Sequence, residues 1–353
     1  IHGDRIVWVG NTKDIPVRDP GTRYQTLDGI GLDLIAMPGF VDSHTHPVFS
    51  IGNAGDYDRR IRGENSGDSG AAEAGFAAIV EHLRAATVNQ LLEKIEARFR
   101  QFLSHGTTTI EAKSGYGADW QEEIRNLQML SALRSRSRLE VLPTFVGARP
   151  LGGETAVAQS DYVKEIIEVI IPRSAQEGLV QFCDVYCEED HFTAEEARSI
   201  LLAGRKAGLG LRVHADKRVH GGGAKLAAEL GARSADHVQR IDDSDIAVLR
   251  RSGTVATLLP GTSFNSGDMS YAPARKLIAA GVPVALATNL NPVSCFTMNM
   301  QVILAIACTQ MRMTPAEAVA AATVNGAYAL GISDKVGMLE ENKQADIVLM
   351  DVP

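Results

Sequence analysis

The chain alternates short apolar runs with longer amphipathic stretches from about residue 35 onward. The short runs are rich in β-branched residues, which pack well on a pleated sheet, so we interpret them as strands. The eight candidate strands are LIAMPGFVDSHTH from Leu34, TTTIEAK from Thr107, LEVLPTFVG from Leu139, QFCDVYCE from Gln181, LRVHAD from Leu211, ARSADHV from Ala232, TVATLLP from Thr254 and VPVALATNLNP from Val282.

Helical stretches lie between the candidate strands. The segments NQLLEKIEARFRQFL, DYVKEIIEVI, TAEEARSILLAGRKAG and APARKLIAAG carry apolar residues at the three-to-four spacing of a helix, and several end at a glycine. Eight such units within about 300 residues have the number and size of a (β/α)8 TIM barrel. We therefore predict an α/β fold in which residues 37–335 form this barrel.

Two further segments lie outside the predicted barrel. DRIVWVG near the start and ADIVLMDV near the end have strand-like composition, so we expect them to pair in a small β-sandwich subdomain of residues 1–36 and 336–353. The Gly-rich, charged segment 51–86 is expected to be a long loop after the first strand, and loops of that length are usually functional.

Composition narrows the classes of partner. The 353 residues are 45% hydrophobic and 22% charged, with a formal net charge of -8, which gives no general attraction to nucleic acid or anionic membranes. The four cysteines lack the spacing of a four-cysteine metal site, and the apolar runs are too short to span a membrane. These features indicate a cytoplasmic protein with a small-molecule substrate.

Histidines mark the ends of three candidate strands. His44 and His46 follow the first strand with one residue between them, so both imidazoles point to the same side. His214 ends the fifth strand and His237 the sixth. Because the chemistry of a TIM barrel is assembled from residues at the carboxyl ends of its strands, these four predict a metal site there.

The sequence resembles the metal-dependent amidohydrolase superfamily, and within it most closely the imidazolonepropionase branch. The resemblance extends over nearly the whole chain and is carried by the segments MPGFVDSHTH, EAKSGYG, VHAD, SADH, LLPGT, LATNLNP and VGMLEENKQADIVLMD. It implies a (β/α)8 barrel with a small β-sandwich, one Zn or Fe ion, and hydrolysis of a cyclic amide by a metal-activated water. The reference reaction of that branch opens imidazolone-5-propionate to formiminoglutamate.

The resemblance also implies roles for individual residues. His44, His46 and His214 match the metal ligands, and His237 matches the histidine that holds the attacking water or the developing oxyanion. Glu188 matches the acidic residue at the end of the fourth strand. The residues that match substrate-contacting positions of the family are Tyr116, Asn291, Asn53, Arg149 and Lys217.

Several of these positions depart from the family pattern. Where the family has an aspartate that contacts the metal and carries the proton, this chain has Asn289, which cannot accept a proton at neutral pH. Asn289 can still bind a metal through its oxygen, and His237, Asp216 and Glu188 are candidates to carry the proton instead. Three substrate-contacting positions also differ: Asn53 stands for an arginine, Arg149 for a histidine, and Lys217 for a glutamate or glutamine.

Three hypotheses remain open at this point. The first is an imidazolonepropionase-like hydrolase of a small anionic heterocycle, in which Arg149 and Lys217 bind a carboxylate. The second is a hydrolase or deaminase of a different heterocycle, and the third is a metal-binding homologue that Asn289 has disabled. The resemblance further predicts a homodimer, and the apolar helix MQVILAIACTQM is buried either against the barrel or against a second subunit.

Overall fold

The structure is a computed structural model that describes residues 1–16, 34–52, 54–62, 69–117, 119–147, 156–188, 191–267 and 269–351. Its strands are β1 (Leu34–Pro38), β2 (Phe40–Asp42), β3 (Thr107–Lys113), β4 (Glu140–Gly147), β5 (Phe182–Cys187), β6 (Gly210–Ala215), β7 (Ser234–His237), β8 (Val255–Leu258), β9 (Val284–Leu286) and β10 (Ile347–Asp351). Strands β2 to β9 form one parallel sheet in chain order, which curls into the predicted (β/α)8 barrel. Each of the eight predicted barrel strands therefore contains one strand of this sheet.

Helices surround this barrel. They are α1 (Ala54–Ile61), α2 (Ser69–Ala85), α3 (Val88–Ser104), α4 (Trp120–Arg134), α5 (Ala156–Glu165), α6 (Ile171–Gln176), α7 (Ala194–Lys206), α8 (Gly223–Glu229), α9 (Asp243–Ser252), α10 (Pro260–Ser266), α11 (Ala274–Ala280), α12 (Met300–Met311), α13 (Pro315–Ala321) and α14 (Val324–Ala329). A π-helical segment, Ile166–Ile170, joins α5 to α6, so the predicted helix DYVKEIIEVI is one part of a longer helical stretch.

Helix α3 shows how the sequence pattern produces the layer around the barrel. Thr87 accepts a hydrogen bond from the backbone N–H of Gln90, and the Gln90 side chain accepts one from the backbone N–H of Thr87. This capping box satisfies two N–H groups that the helix itself cannot pair. The apolar side chains at three-to-four spacing face the barrel and are buried; they are Leu91, Ile95, Phe99 and Phe102.

The first predicted strand is in fact two strands that belong to different sheets. Chain direction changes at Gly39, between β1 and β2, where any side chain would overlap that of Thr108. β1 leaves the barrel and pairs antiparallel with β10, with Leu34 opposite Asp351 and Pro38 opposite Ile347. Glycine is required here because a Cβ atom would clash with the hydroxyl oxygen of the Thr108 side chain.

The small sheet joins both ends of the chain, but not through the segment that we expected. DRIVWVG is not a strand; the backbone N–H of Ile6 donates to the carbonyl of Lys343 at 2.9 Å, and that of Asn342 donates to the carbonyl of Ile6 at 2.8 Å. The partner of the C-terminal strand is β1 instead. The division into residues 1–36 with 336–353 and residues 37–335 stays a prediction.

The segment 51–86 also differs from the prediction of a long loop. It contains helices α1 and α2 within its described residues. The second half, SGAAEAGFAAIVEHLRA, is rich in alanine, which has the highest helix propensity of all residues. This preference outweighs the low helix propensity of its glycines.

Hydrogen bonds from side chains and loops join the first and last barrel strands. The hydroxyl of Thr288, just after β9, donates to a carboxylate oxygen of Asp42 at 2.6 Å, and its backbone N–H donates to the other oxygen at 3.0 Å. The backbone N–H of Asn289 donates to the carbonyl of His44 at 3.0 Å. Burial raises the pKa of Asp42 to about 7, although both bonds from Thr288 oppose that rise. This junction holds the H-x-H segment against the end of the eighth barrel strand.

Replacing Thr288 with valine should destabilise the barrel, because Asp42 would then be buried with one donor fewer. We expect Thr288→Val to lower the free energy of unfolding by about 1–3 kcal/mol in urea titrations. Thr288→Ser, which keeps the hydroxyl, is the control and should lose less. Equal stability of the two variants would contradict the role assigned to this hydrogen bond.

Candidate metal centre

Four histidine side chains meet at the carboxyl end of the barrel. His44 and His46 follow β2, His214 lies in β6, and His237 is the last residue of β7. Metal-binding atoms of His44, His214 and His237 all lie within 4.8 Å of one another, and Nε2 of His46 is 3.3 Å from Nε2 of His44. All four are almost completely buried. The structure thus brings together every histidine that the sequence places at a strand end.

Buried aspartates orient two of these rings. Nδ1 of His44 lies 2.7 Å from Oδ2 of Asp236, and Nδ1 of His214 lies 3.0 Å from Oδ2 of Asp184. A ring that carries its proton on Nδ1, facing a carboxylate, has its lone pair on Nε2. Both Nε2 atoms are then available as metal ligands, in the arrangement that commonly supports metal-bound histidines.

Some histidine nitrogens have no hydrogen-bond partner in the part of the chain that the structure describes. They are Nδ1 and Nε2 of His214 and Nδ1 of His237; Nδ1 of His214 lies 3.0 Å from Oδ2 of Asp184, but not in hydrogen-bond alignment. Burying such an atom without a partner costs free energy, so each buried polar atom of this kind requires an explanation. A divalent cation would satisfy Nε2 of His214, and the 3.3 Å approach of the His44 and His46 nitrogens has the same explanation, whereas Nδ1 of His237 can accept a hydrogen bond from a water or a substrate. The donor set therefore fits a divalent metal ion.

The protonation state of the cluster agrees with this fit. Burial holds the pKa of each of the four histidines well below its ordinary value of 6.5. The charge of Lys113 adds to this effect on all four pKa values, and that of Lys217 adds to it for His46, His214 and His237. Neutral imidazoles are the form that binds a metal, and they leave the charge of the ion largely uncompensated.

Strained backbone is concentrated at this end of the barrel. Five non-glycine residues that directly follow or end barrel strands, or lie in the turn after one, have left-handed backbone conformations. They are Tyr116 (φ 64°), Asp216 (φ 51°), His237 (φ 82°), Val238 (φ 50°) and Asn289 (φ 53°). Such conformations cost energy and occur most often at functional sites, so their position agrees with that of the histidines.

Tyr116 lies beside the cluster in a tight turn. The carboxylate of Glu123 accepts hydrogen bonds from the backbone N–H groups of Gly115 at 3.1 Å and Gly117 at 2.8 Å, which fixes the turn between them. The ring centroids of Tyr116 and His46 are 6.2 Å apart, and Tyr116 is half-buried. Its position allows the substrate contact that the sequence predicts.

Asn289, just after the eighth barrel strand, lies beside the cluster, and its side chain is already hydrogen-bonded. Its amide nitrogen donates to the hydroxyl of Thr262 at 2.7 Å. Asn291 shapes the turn that follows: its nitrogen donates to the carbonyl of Asn289 at 2.6 Å, and its oxygen accepts from the backbone N–H of Ser294 at 2.6 Å. Asn291 therefore supports the loop in which the sequence predicts a substrate contact.

Two candidates for the proton carrier are bound to backbone N–H groups. Glu188 accepts from the N–H of Lys217 at 2.5 Å, and Asp216 accepts from the N–H of Gly221 at 2.7 Å and of Ala224 at 2.7 Å. These carboxylates hold the loop between β6 and α8. His237 is the third candidate, and it is the one that lies within the histidine cluster.

The remaining predicted substrate residues divide into two groups. Lys217 is half-buried, and its positive charge lowers the pKa of three cluster histidines, so it lies within electrostatic range of the cluster. Asn53 and Arg149 lie outside the described residues.

Sequence reasoning missed Tyr186 and the two supporting aspartates. The ring of Tyr186 stacks on that of His214 with 3.7 Å between centroids, and on its other side lies His191 at 4.7 Å. Tyr186 is two residues after Asp184 in β5, so both point to the inside of the barrel. That alternation, applied to every barrel strand, was the signal that could have found them.

Among the described residues, no helix combines the length and the apolar character needed to cross a membrane.

Comparisons with known proteins agree with this architecture. Residues 35–352 match the model of the amidohydrolase family. The imidazolonepropionase of Geobacillus kaustophilus is 42% identical over 355 residues, covering 100% of this chain and 83% of the relative. That of Alkaliphilus metalliredigens is 38% identical over 353 residues, with the same coverage.

Solved structures with low sequence identity share the fold. A 5-methylcytosine deaminase from Klebsiella pneumoniae superimposes with a TM-score of 0.76 at 15% identity, covering 100% of this chain and 88% of that one. An adenosine deaminase from Xanthomonas campestris with bound zinc gives a TM-score of 0.66 at 17% identity, covering 90% and 72%. From the match over nearly its whole length, the chain belongs to the amidohydrolase family and is a hydrolase of carbon–nitrogen bonds.

Proposed function

We propose that the protein hydrolyses the cyclic amide of imidazolone-5-propionate, or of a closely similar small anionic heterocycle, to give formiminoglutamate or its counterpart. The observation that carries this proposal is the cluster of four buried, neutral histidines at the end of the barrel, in a chain 36–42% identical to imidazolonepropionases. In this reaction the oxygen of water adds to the ring carbonyl carbon, the C–N bond breaks, and a proton passes to the departing nitrogen.

We assign the metal site to His44, His46 and His214, with Asn289 as a fourth, oxygen-donating neighbour and one Zn or Fe ion as the cofactor. Such an ion would lower the pKa of a coordinated water and polarise the substrate carbonyl. The three imidazoles fix its position, and Asp184 and Asp236 support it by holding the rings of His214 and His44. Exclusion of bulk water from this buried cluster strengthens every electrostatic interaction within it.

His237 is assigned to the proton transfers. Its buried ring is neutral because burial holds its pKa well below 6.5, and its Nδ1 has no partner in the described chain. It can therefore accept a hydrogen bond or a proton from the attacking water. Asn289 has no proton to exchange at neutral pH, so transfer through His237 would be slower than through a carboxylate at that place.

We assign to Lys217 the binding of the substrate carboxylate. This assignment is supported by its half-buried position within electrostatic range of the histidines, because an ammonium–carboxylate contact in a half-buried place contributes more than an exposed one. Arg149 and Asn53 match other positions of the substrate site, and we assign Tyr116 to packing against the heterocycle because its ring lies near that of His46.

A hydrolase of a different heterocycle is the second candidate function. It is favoured by one observation: Lys217, Arg149 and Asn53 stand where the imidazolonepropionase pattern has other residue types. A change of charge at these positions alters which ring substituents can bind.

We further propose a homodimer that resides in the cytoplasm. Helix α12 buries Met300, Ile303 and Met311 and leaves Val302 exposed at 42%, so a partner could cover its outer side. The four cysteines are free thiols, as expected in a reducing compartment.

Removing the metal should abolish the activity. After treatment with a chelator we expect the rate to fall below about 1% of its initial value, because both water activation and carbonyl polarisation depend on the ion, and Zn or Fe should restore it. Elemental analysis should give one ion per chain, and His214→Ala should lose it while His82→Ala, at an exposed position on α2, retains it. Full activity in a metal-free sample would rule out the proposed chemistry.

Replacing Asn289 with aspartate should accelerate the reaction. A carboxylate in this place can take a proton from water, and general base catalysis is typically worth about 10²-fold or more, so we expect kcat to rise by at least that factor. Asn325→Asp on α14 is the matched control and should not change kcat. If neither the native chain nor Asn289→Asp acts on imidazolone-5-propionate or a panel of lactams, the substrate assignment is wrong. Activity in the variant alone would identify the native chain as the disabled homologue.

Removing the charge of Lys217 should weaken substrate binding. A hydrogen bond to a charged group contributes about 1.5–3 kcal/mol, so Lys217→Met should raise KM about 10- to 100-fold with little change in kcat. For an analogue whose propionate is replaced by its amide, the variant and the native chain should have the same KM. Lys225→Met, at an exposed position on α8, controls for loss of a positive charge. An unchanged KM for the carboxylate substrate would refute this role.

A further inference from the structure

Five charged side chains are completely buried next to the histidine cluster. They lie on the barrel strands β3, β5, β6 and β7 and are Glu111, Lys113, Asp184, Arg212 and Asp236. Buried charges are rare in proteins unless they are paired, because removing each from water costs several kcal/mol. The reaction assigned above uses none of them directly, so their presence requires another explanation.

Their contacts form one connected network. The ammonium group of Lys113 lies 2.6 Å from Oε1 of Glu111 and 2.6 Å from Oδ2 of Asp184. Arg212 Nη2 lies 2.9 Å from Oδ2 of Asp236, and its Nε is 3.8 Å from Oε1 of Glu111. Among the five members of this network, Glu111 is the carboxylate within ion-pair distance of both cations, although its 3.8 Å contact with Arg212 is too long for a hydrogen bond.

Each half of the network ends on a cluster histidine. The Asp184 oxygen that contacts Lys113 also faces His214, and the Asp236 oxygen that contacts Arg212 also faces His44. The position of each cation therefore determines where its aspartate can hold the histidine ring. Glu111 is hydrogen-bonded to Lys113 and forms a longer ion pair with Arg212, so its charge acts on both halves of the network.

A third contact connects Glu111 to the backbone between His44 and His46. Oε2 of Glu111 accepts a hydrogen bond from the backbone N–H of Thr45 at 3.2 Å, and the Thr45 hydroxyl donates to the carbonyl of Glu111 at 2.6 Å. The direction in which the H-x-H segment leaves β2 is thus restrained by the same carboxylate.

We propose that Glu111 is a positioning residue that sets the geometry of the histidine cluster for its metal ion. One carboxylate restrains His214 through Lys113 and Asp184, His44 through Arg212 and Asp236, and the H-x-H backbone through Thr45. Glu111 contacts neither the ion nor the substrate. The proposal rests on the assignment of a metal to this cluster, but it does not depend on which substrate is hydrolysed.

The alternative is that Glu111 only compensates buried positive charge and so only stabilises the fold. The two roles differ in a measurable way. A compensating charge affects the free energy of unfolding, whereas a positioning residue also changes the affinity and coordination geometry of the metal in the folded protein. Metal binding by the folded protein is therefore the decisive measurement.

Glu111→Gln is the direct test. The amide has nearly the same shape, but it carries no charge, and its nitrogen cannot accept hydrogen bonds from Lys113 or Thr45. Metal-free full-length protein would be titrated with Zn²⁺ against a competing chelator, and the Co²⁺ form would be examined by visible absorption. Circular dichroism and urea titration would establish that each variant is folded.

Glu123→Gln is the matched control. Glu123 is also buried, at 1% exposure, and its carboxylate accepts hydrogen bonds from the backbone N–H groups of Gly115 and Gly117, outside the charge network. Its loss should lower stability without lowering metal affinity. The control separates the cost of losing a buried carboxylate from the loss of the network.

We expect Glu111→Gln to bind Zn²⁺ about tenfold to 100-fold more weakly than the native chain and to give an altered Co²⁺ spectrum. If this variant does not fold, Glu111→Asp takes its place: it keeps the charge but is too short for all three contacts, and it should also bind Zn²⁺ more weakly. Native affinity and a native Co²⁺ spectrum in a folded Glu111 variant would overturn the positioning role alone. Failure of the native chain to bind Zn²⁺ or Co²⁺ would overturn both this role and the proposed function.

Discussion

The structure depends on a small set of imidazole nitrogens that are buried, neutral and close together. The metal-binding atoms of His44, His214 and His237 lie within 4.8 Å of one another, and burial holds the pKa of each ring well below 6.5. Several nitrogen lone pairs directed at one point are unfavourable unless a cation or a hydrogen-bond donor lies there. The barrel, the loops around the cluster and the buried charges beside it all serve to maintain that arrangement.

Side chains around the cluster have two kinds of role. Glu188, Asp216 and Asn291 hydrogen-bond to backbone groups and hold the loops in place, whereas His237 and Lys217 are the residues to which we assign proton transfer and substrate binding. This division explains how the site can tolerate an asparagine at position 289. Its amide donates to Thr262 and its backbone joins the first and last barrel strands, so the structural role of the position is kept even though the amide cannot take a proton.

The sequence was sufficient to predict what depends on local patterns. Strand-like runs ending in histidine predicted both the barrel and the group of four imidazoles, because parallel strands end at the same edge. Two features could not be predicted from local composition. The break at Gly39 depends on packing against Thr108, which is distant in the chain. The pairing of β10 with β1 rather than with DRIVWVG depends on long-range backbone hydrogen bonds. Glu111 and Lys113 lie in a strand-like run with an ordinary appearance, and their role depends on partners about 66 to 101 residues away in the chain.

An anomalous-difference map from a crystal of the protein grown with Zn²⁺ tests the central claim most directly. The account predicts a single strong peak about 2.0–2.1 Å from one ring nitrogen each of His44, His46 and His214. Rings that stay in place with no peak among them, or rings that separate to let water in, would contradict it.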